Sequence, residues 1–249
     1  MTQFPLNYEI THRFPIAVLH LRGQLTPADT HLARAALLEA LAQEPTSVVV
    51  DLSGITGADA HALRVLTDVA QTARRWPGAA VLLCAPTPAV ADALRRAEVI
   101  PALIAHATCA DALAAAAGDP VPPRIYRRLE PTAEAPRTGR ALAGYACWQW
   151  GLPEQTTPAQ ILASELIANA VRHARTPVGF ALSLRDQRLR LSVLDGVARP
   201  ARMRTPTELD EQGRGLLIVD AVSDGWGSMP LGTGKVVWAE VPTRSPATT

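Results

Sequence analysis

The stretch "SELIANAVRHA" (residues 164–174) places polar side chains inside an otherwise apolar helical pattern. Glu165, Asn169 and His173 are four residues apart, so they lie along one face of the predicted helix. Carboxylate and amide oxygens suit Mg²⁺, which commonly joins one or two protein ligands to phosphate oxygens. The carboxylate can also accept a proton from an attacking hydroxyl group. The helix alone is equally consistent with an ordinary amphipathic helix that carries a solvated stripe.

Two stretches further along the chain favour a nucleotide site. The predicted strand "LSVLDG" (191–196) ends in Asp195 and Gly196. A carboxylate there can accept a hydrogen bond from an adenine amino group, and the glycine permits close approach. The stretch "GRGLLIVD" (213–220) opens a predicted helix, whose N-terminal amides can hold phosphate. Its first four residues are Gly213, Arg214, Gly215 and Leu216.

The composition fits a chain of one large or two ordinary domains with a sizeable core. The chain has 249 residues, of which 48% are hydrophobic. A formal net charge of +1 gives no electrostatic case for binding nucleic acid or an anionic membrane. Lys235 is the single lysine among the 24 basic residues.

The N-terminus and the cysteines indicate a cytoplasmic protein. "MTQFPLNYEITHRF" lacks the basic and apolar regions of a signal peptide, and no apolar run reaches the roughly 18 residues of a membrane helix. Cys84, Cys109 and Cys147 are odd in number and follow no metal-ligand spacing. We therefore expect three reduced thiols.

The first half of the chain alternates strand and helix patterns. "IAVLHLRG" (16–23) and "SVVVDL" (47–52) predict strands on either side of an amphipathic helix. A helix at 59–75, the strand "AAVLLCA" and the helix "PAVADALRRAEV" follow. This alternation predicts an α/β domain, a sheet with packed helices, over residues 1–119.

A segment rich in proline and glycine then interrupts the alternation, and we interpret residues 120–136 as a linker. The remaining residues, 137–249, have a different order of elements. Two helices (140–150 and 158–173) precede two alternating strands, a helix from 214 to about 223 and the closing strand "GKVVWAEV". Helices followed by a mainly antiparallel sheet predict an α+β domain, so the chain has two domains.

With these motifs, the second half resembles the Bergerat-fold ATPase domain of anti-sigma factor serine kinases, a branch of the GHKL superfamily. The resemblance spans roughly residues 123–242 and rests on "SELIANAVRHA", "VLDG", "GRGLLIVDAVSDGWG" and "GKVVWAEV". It implies ATP and Mg²⁺ as cofactors, Glu165 as general base, Asn169 as Mg²⁺ ligand and Asp195 as adenine anchor. The other residues that it implies at the ATP are His173, Gly196, Gly213, Arg214, Gly215 and Leu216.

Two departures from the family pattern favour ATP binding over efficient phosphoryl transfer. Val236 stands where relatives often carry a hydroxyl group that helps to hold adenine. Next to the glycine box, Glu211 and Gln212 stand where some members have an arginine for the terminal phosphate. The arginines that could replace it are Arg202, Arg204 and Arg214.

The first half resembles the STAS domain of anti-sigma factor antagonists over roughly residues 7–117. The resemblance rests on "LRGQLTPAD" and "SVVVDLSGITGADAHALRVL". Relatives that act as phosphorylation switches carry paired serines after the aspartate, and the second serine is phosphorylated. Ala60 and His61 occupy those positions here, so this domain lacks the phosphoacceptor serine.

Together the resemblances imply an ATP-binding anti-sigma factor, similar to a serine/threonine-protein kinase, that controls sigma factor availability and hence transcription by partner switching. Its expected partners are a sigma factor, a separate STAS-domain antagonist, or both, with no direct nucleic acid or membrane contact. The fused STAS domain is expected to dock on the ATPase domain as a pseudosubstrate, and a homodimer is consistent with the family.

The alternative is a non-catalytic, nucleotide-gated binding or scaffold module in a sigma factor regulatory complex. A sensor histidine kinase is disfavoured, because the sequence shows no phosphoacceptor dimerisation helix and no membrane segment.

Overall fold

The structure, a computed structural model, describes residues 5–118, 120–199, 201 and 214–243. The chain divides into two compact units, Met1–Val121 and Pro122–Thr249. Each unit is described by itself.

The N-terminal unit is a five-stranded sheet with packed helices. Its strands are β1 (Asn7–Arg13), β2 (Ile16–Leu25), β3 (Ser47–Ala58), β4 (Ala80–Cys84) and β5 (Ala105–His106), in the spatial order β1-β2-β3-β4-β5. Its helices are α1 (Thr30–Leu41), α2 (Ala60–Arg75), α3 (Pro88–Arg96), α4 (Val99–Ala102) and α5 (Cys109–Ala117). β1 pairs antiparallel with β2, whereas β2 to β5 are parallel. The predicted α/β class is confirmed.

Local sequence explains two central elements of this unit. The apolar run Val48–Val50 of β3 is fully buried, as expected for a strand that helices cover on both faces. Asp59 caps α2, because its Oδ1 accepts hydrogen bonds from the backbone N–H groups of His61 (2.8 Å) and Ala62 (3.1 Å).

The C-terminal unit packs helices on an antiparallel sheet. Its strands are β6 (Arg124–Leu129), β7 (Val178–Arg185), β8 (Arg188–Asp195), β9 (Gly225–Pro230) and β10 (Lys235–Pro242), in the spatial order β6-β7-β8-β10-β9. Its helices are α6 (Ala135–Gln149), α7 (Thr156–Ala174) and α8 (Gly215–Val222). Leu162, Leu166 and Ile167 of α7 share a buried core with Phe180 of β7 and Val193 of β8. The predicted α+β class is confirmed.

The stretch interpreted as a linker, 120–136, contains a strand. Residues 124–129 form β6, which pairs with β7 from Arg124↔Ser183 to Leu129↔Val178, and α6 begins at Ala135. The linker interpretation is wrong for these residues. Prolines 120, 122, 123 and 131 flank β6 without entering it, so this edge strand keeps all its backbone donors. The sequence patterns also gave no prediction for β1, α4, β5, α5 and β9.

The expectation of three reduced thiols is wrong for two of them. Cys84 at the end of β4 and Cys109 at the start of α5 form a disulfide, with a Cα–Cα distance of 5.0 Å. The two cysteines are 25 residues apart and become neighbours only because β5 returns the chain to the sheet beside β4. Cys147 of α6 is free and buried.

Of the helices within the described ranges, none is both long and apolar enough to cross a membrane.

Candidate nucleotide-binding site

The face of α7 that carries the polar stripe is not part of the core. Glu165 and Asn169 are half-buried, and His173 is exposed in the last turn, whereas Leu162 and Leu166 on the other side are buried. The helix therefore separates an apolar face, which packs on the sheet, from a polar face.

The start of α8 lies directly beside this polar face. α7 and α8 pack together, and a Cβ atom built on Gly215 would lie 3.0 Å from Glu165 Oε2. Glu165 and Gly215, which are 50 positions apart in the sequence, are thus neighbours in space. A side chain at position 215 would therefore require the Glu165 carboxylate to shift by a few tenths of an ångström.

The end of β8 is tied to the loop that follows α7. The backbone N–H of Gly196 donates a hydrogen bond to Thr176 Oγ1 (3.0 Å), two residues beyond the last residue of α7. A Cβ atom on Gly234, just before β10, would overlap the carbonyl oxygen of Asp195. Glycine is therefore required where the chain enters β10 beside the end of β8.

Asp195 is buried in an ion pair. Its Oδ1 accepts hydrogen bonds from the backbone N–H of Val197 (2.9 Å) and from Lys235 Nζ (2.9 Å), and Nζ lies 2.7 Å from Oδ2. The side chains of Asp195 and Lys235 are 1% and 8% exposed. Oδ2 is also buried and has no partner other than Nζ among the described residues, so one of its two lone pairs is unused.

Sequence reasoning missed the role of Lys235. Only strand register shows that the single lysine of the chain lies directly opposite Asp195, because β10 pairs with β8 across the sheet. The signal was present in the final strand "GKVVWAEV", where a cation stands directly before the apolar residues 236–239.

The residues present fit an adenine nucleotide with Mg²⁺. The unused acceptor on Asp195 Oδ2 matches the amino group of adenine. The α8 N-terminus beside Glu165 offers backbone amides for phosphate, and Asn169 lies one turn along the same face from Glu165.

The remaining residues predicted to contact ATP differ in their exposure, and some of them lie outside the described residues. Arg214 is exposed just before α8, whereas Leu216 is buried in its first turn. Gly213 lies outside the described residues, as do Arg202, Arg204, Glu211 and Gln212. Val236, the residue in place of a hydroxyl group, is fully buried on β10.

In the N-terminal unit, Ala60 and His61 form the first turn of α2. His61 is exposed, and its backbone N–H is held by Asp59. The position that the STAS resemblance implies for a phosphoacceptor serine is therefore accessible at a capped helix start, and it carries an imidazole side chain.

Comparison with known families agrees with both units. Residues 11–100 match the family described as "Mlab, STAS domain", and residues 129–239 match the family described as "Histidine kinase-like ATPase domain". The chain carries a STAS domain and a histidine kinase-like ATPase domain. The matched ATPase range contains α7, β8 and α8, and hence the whole candidate site that the structure describes.

Solved structures resemble parts of the chain at low sequence identity. The unphosphorylated anti-sigma factor antagonist SpoIIAA is 17% identical, with a TM-score of 0.39, over 46% of this chain and 99% of its own. An anti-sigma factor antagonist from Mycobacterium paratuberculosis is 17% identical, with a TM-score of 0.41, over 45% and 95%. The RsbU and RsbW domains of Rv1364c from Mycobacterium tuberculosis are 22% identical, with a TM-score of 0.40, over 50% and 34%. No curated protein sequence matches the chain significantly.

Proposed function

We propose that the protein is an ATP-binding anti-sigma factor of serine-kinase ancestry that acts in the cytoplasm by partner switching. The observation that carries the proposal is the contact between Glu165 on α7 and Gly215 at the start of α8, in a unit whose β8 ends in a buried carboxylate with an unused acceptor. An ordinary amphipathic helix with a solvated stripe does not require this arrangement.

Each residue has a definite task in the proposed site. Asp195 Oδ2 would accept a hydrogen bond from the adenine amino group, Asn169 would offer its amide oxygen to Mg²⁺, and the first amides of α8 would hold phosphate. When bound, Mg·ATP supplies a phosphoryl group. Glu165 would orient a serine hydroxyl of a separate STAS-domain antagonist and accept its proton.

The test uses radiolabelled Mg·ATP and candidate STAS partners with the full-length protein. Wild type should label a partner serine, and Glu165→Ala should abolish transfer while it retains nucleotide binding. Glu154→Ala, which removes an exposed glutamate ahead of α7, is the matched control and should behave as wild type. Labelling that survives in Glu165→Ala contradicts the assigned role of Glu165.

The second candidate function is a nucleotide-gated scaffold without transfer. The fully buried Val236 favours it, because this side chain cannot supply the hydroxyl that relatives often use at adenine. Mg·ATP-dependent capture of partners, with no label on any serine, supports the scaffold, and failure to bind Mg·ATP contradicts both functions.

The fused STAS domain is proposed to act as a pseudosubstrate because His61 replaces the acceptor. Restoring the hydroxyl with His61→Ser should create a labelled serine in the protein's own chain. Ala60→Ser is the matched control at the adjacent position and should stay unlabelled. Equal labelling of both variants contradicts recognition of position 61 as a substrate site.

A further inference from the structure

Side chains that commonly bind metal ions form one row across the parallel part of the N-terminal sheet. In register, His20 of β2 lies opposite Asp51 of β3, Asp51 lies opposite Cys84 of β4, and Cys84 lies opposite His106 of β5. Residues paired in register project from the same face of a sheet. The preceding row is entirely apolar and consists of Leu19, Val50, Leu83 and Ala105. The ligand types are thus concentrated in one row, at the last residues of β4 and β5.

Cys109 completes a compact group on this face. A carboxylate oxygen of Asp51 and the sulfur atoms of Cys84 and Cys109 all lie within 4.8 Å of one another. With a Zn–S distance of about 2.3 Å, two sulfurs on one tetrahedral ion are roughly 3.8 Å apart. Small side-chain rotations would therefore bring all three groups onto one ion once the disulfide is open.

The carboxylate is already held in place for such a role. Asp51 Oδ2 lies 2.9 Å from His20 Nδ1, and Oδ1 accepts a hydrogen bond from the backbone N–H of Ser53 (2.9 Å). Each carboxylate oxygen has a second lone pair, so both retain capacity for an ion. Partners of this kind orient ligating side chains in metal sites.

The burial of Cys84 and an unpartnered nitrogen of His106 both favour a ligand site in this row. Cys84 is fully buried, whereas Cys109 is half-buried and the Asp51 side chain is 14% exposed, which leaves an approach from solvent. Beside Cys84 in the row, His106 Nε2 is buried and has no hydrogen-bond partner among the described residues. A buried polar atom in that condition is uncommon and calls for an explanation.

We propose that Asp51, Cys84 and Cys109 bind one Zn²⁺ when both cysteines are reduced, and that the zinc form and the disulfide form are alternative states of the STAS domain. Two thiolates and a carboxylate are ligands that Zn²⁺ accepts, and its tetrahedral preference leaves one further position. This site is separate from the nucleotide site and stands whether or not the proposed function is correct.

Conversion of the disulfide form to the zinc form requires a reductant, and a dithiol can supply it. The dithiol transfers two electrons and two protons to the Cys84–Cys109 bond and becomes a disulfide itself, which leaves two thiols on the protein. Zn²⁺ then displaces the two thiol protons, so its binding weakens as the pH falls.

The test is metal binding by full-length protein that has been reduced with a dithiol and desalted without oxygen. Zn²⁺ content is measured by mass spectrometry, and Co²⁺ is used as a spectroscopic probe because thiolate ligation gives a sulfur-to-cobalt charge-transfer absorption. Wild type should retain one ion per chain with this absorption. Asp51→Asn should weaken binding by roughly tenfold or more, and the oxidised protein should bind no ion.

Cysteine variants provide matched controls. Cys109→Ser should lose the ion and the absorption, and its half-buried position makes folding tolerant of the change. Cys147→Ser should retain both, because Cys147 lies in the other unit, where burial raises the pKa of its thiol. Circular dichroism verifies folding. Absence of stoichiometric binding by folded, reduced wild type overturns the proposal, as does equal binding by Cys109→Ser or by the disulfide form.

Discussion

Each unit of the chain carries an acidic residue in a central strand, and the two acids are compensated differently. Asp195 of β8 has a lysine ammonium within 2.7 Å, and both side chains are almost wholly buried. Asp51 of β3 has an imidazole, a backbone N–H group and two sulfur atoms around it. Asp195 is thus compensated by a lysine ammonium, whereas hydrogen-bond donors compensate Asp51.

The carboxylates of Asp51 and Asp195 also differ in the ligands that they can still bind. Burial raises the pKa of Asp51, but hydrogen bonds from Ser53 and His20 outweigh burial and hold the pKa below its usual value. The carboxylate is therefore ionised at neutral pH. Asp195 Oδ2 keeps one lone pair without a partner, which suits a neutral amino donor. We therefore propose a nucleobase as the ligand of Asp195 and an ion as the ligand of Asp51.

Removal of the internal cation should have the largest effect. Lys235→Met leaves the Asp195 carboxylate buried without its counter-ion and should lower the free energy of unfolding of the ATPase domain by about 3–5 kcal/mol. Urea denaturation followed by domain-specific fluorescence measures the loss. Arg127→Met, which removes an exposed cation from β6, is the control. A loss as small as that of the control would show that the ion pair is not buried in solution.

Reduction of the Cys84–Cys109 disulfide should have the next largest effect on stability, and this effect concerns the STAS domain. The cross-link spans 25 residues, so reduction without metal should destabilise the STAS domain by about 3 kcal/mol. Thermal unfolding of oxidised and reduced protein measures the difference. Saturating Zn²⁺ should recover part of it in the reduced protein, and no such recovery should occur in Cys109→Ser.

An added side chain at the contact between α7 and α8 should lower the affinity for the nucleotide more than it lowers the stability of the fold. Gly215→Ala places a methyl group 3.0 Å from Glu165 Oε2 and should weaken Mg·ATP binding by roughly tenfold, because the groups around the phosphates move apart. Stability should change by less than about 1 kcal/mol. Gly232→Ala is the matched control, since its Cβ would meet open space. An unchanged affinity for Gly215→Ala would separate this contact from the nucleotide site.

The smallest predicted effect concerns the start of α2. Asp59→Ala removes the acceptor for the backbone N–H groups of His61 and Ala62 and should destabilise the STAS domain by about 1 kcal/mol. Asp68→Ala removes an exposed ion pair with Arg34 from the same helix and should cost less. A reversed order, measured by thermal unfolding, would contradict the capping role of Asp59.

The sequence was sufficient for features that depend on local pattern. The spacing of Glu165, Asn169 and His173 correctly places them on α7, and the apolar run of β3 correctly predicts a buried strand. Features that depend on non-local pairing were missed. β10 lies between β9 and β8 in the sheet, and its pairing with β8 joins residues 40 positions apart, so nothing local reveals that Lys235 lies opposite Asp195.

The cysteines show the same limit. Spacing rules for metal sites and disulfides apply to ligands close together in sequence, and Cys84 and Cys109 become neighbours only through the short strand β5. Likewise β6, an edge strand with charged and half-exposed residues, has no alternating pattern that distinguishes it from a loop.

The central claim is that the polar face of α7 and the end of β8 form an adenine nucleotide site. Isothermal titration of the full-length protein with Mg·ATP tests it most directly, with Asp195→Asn as the variant and Glu154→Gln as an exposed control. We predict one site per chain in wild type and in the control, and binding weakened by roughly tenfold or more in Asp195→Asn, since that side chain exchanges an acceptor for a donor. Absence of binding by wild type, or an unchanged affinity in Asp195→Asn, would contradict the account.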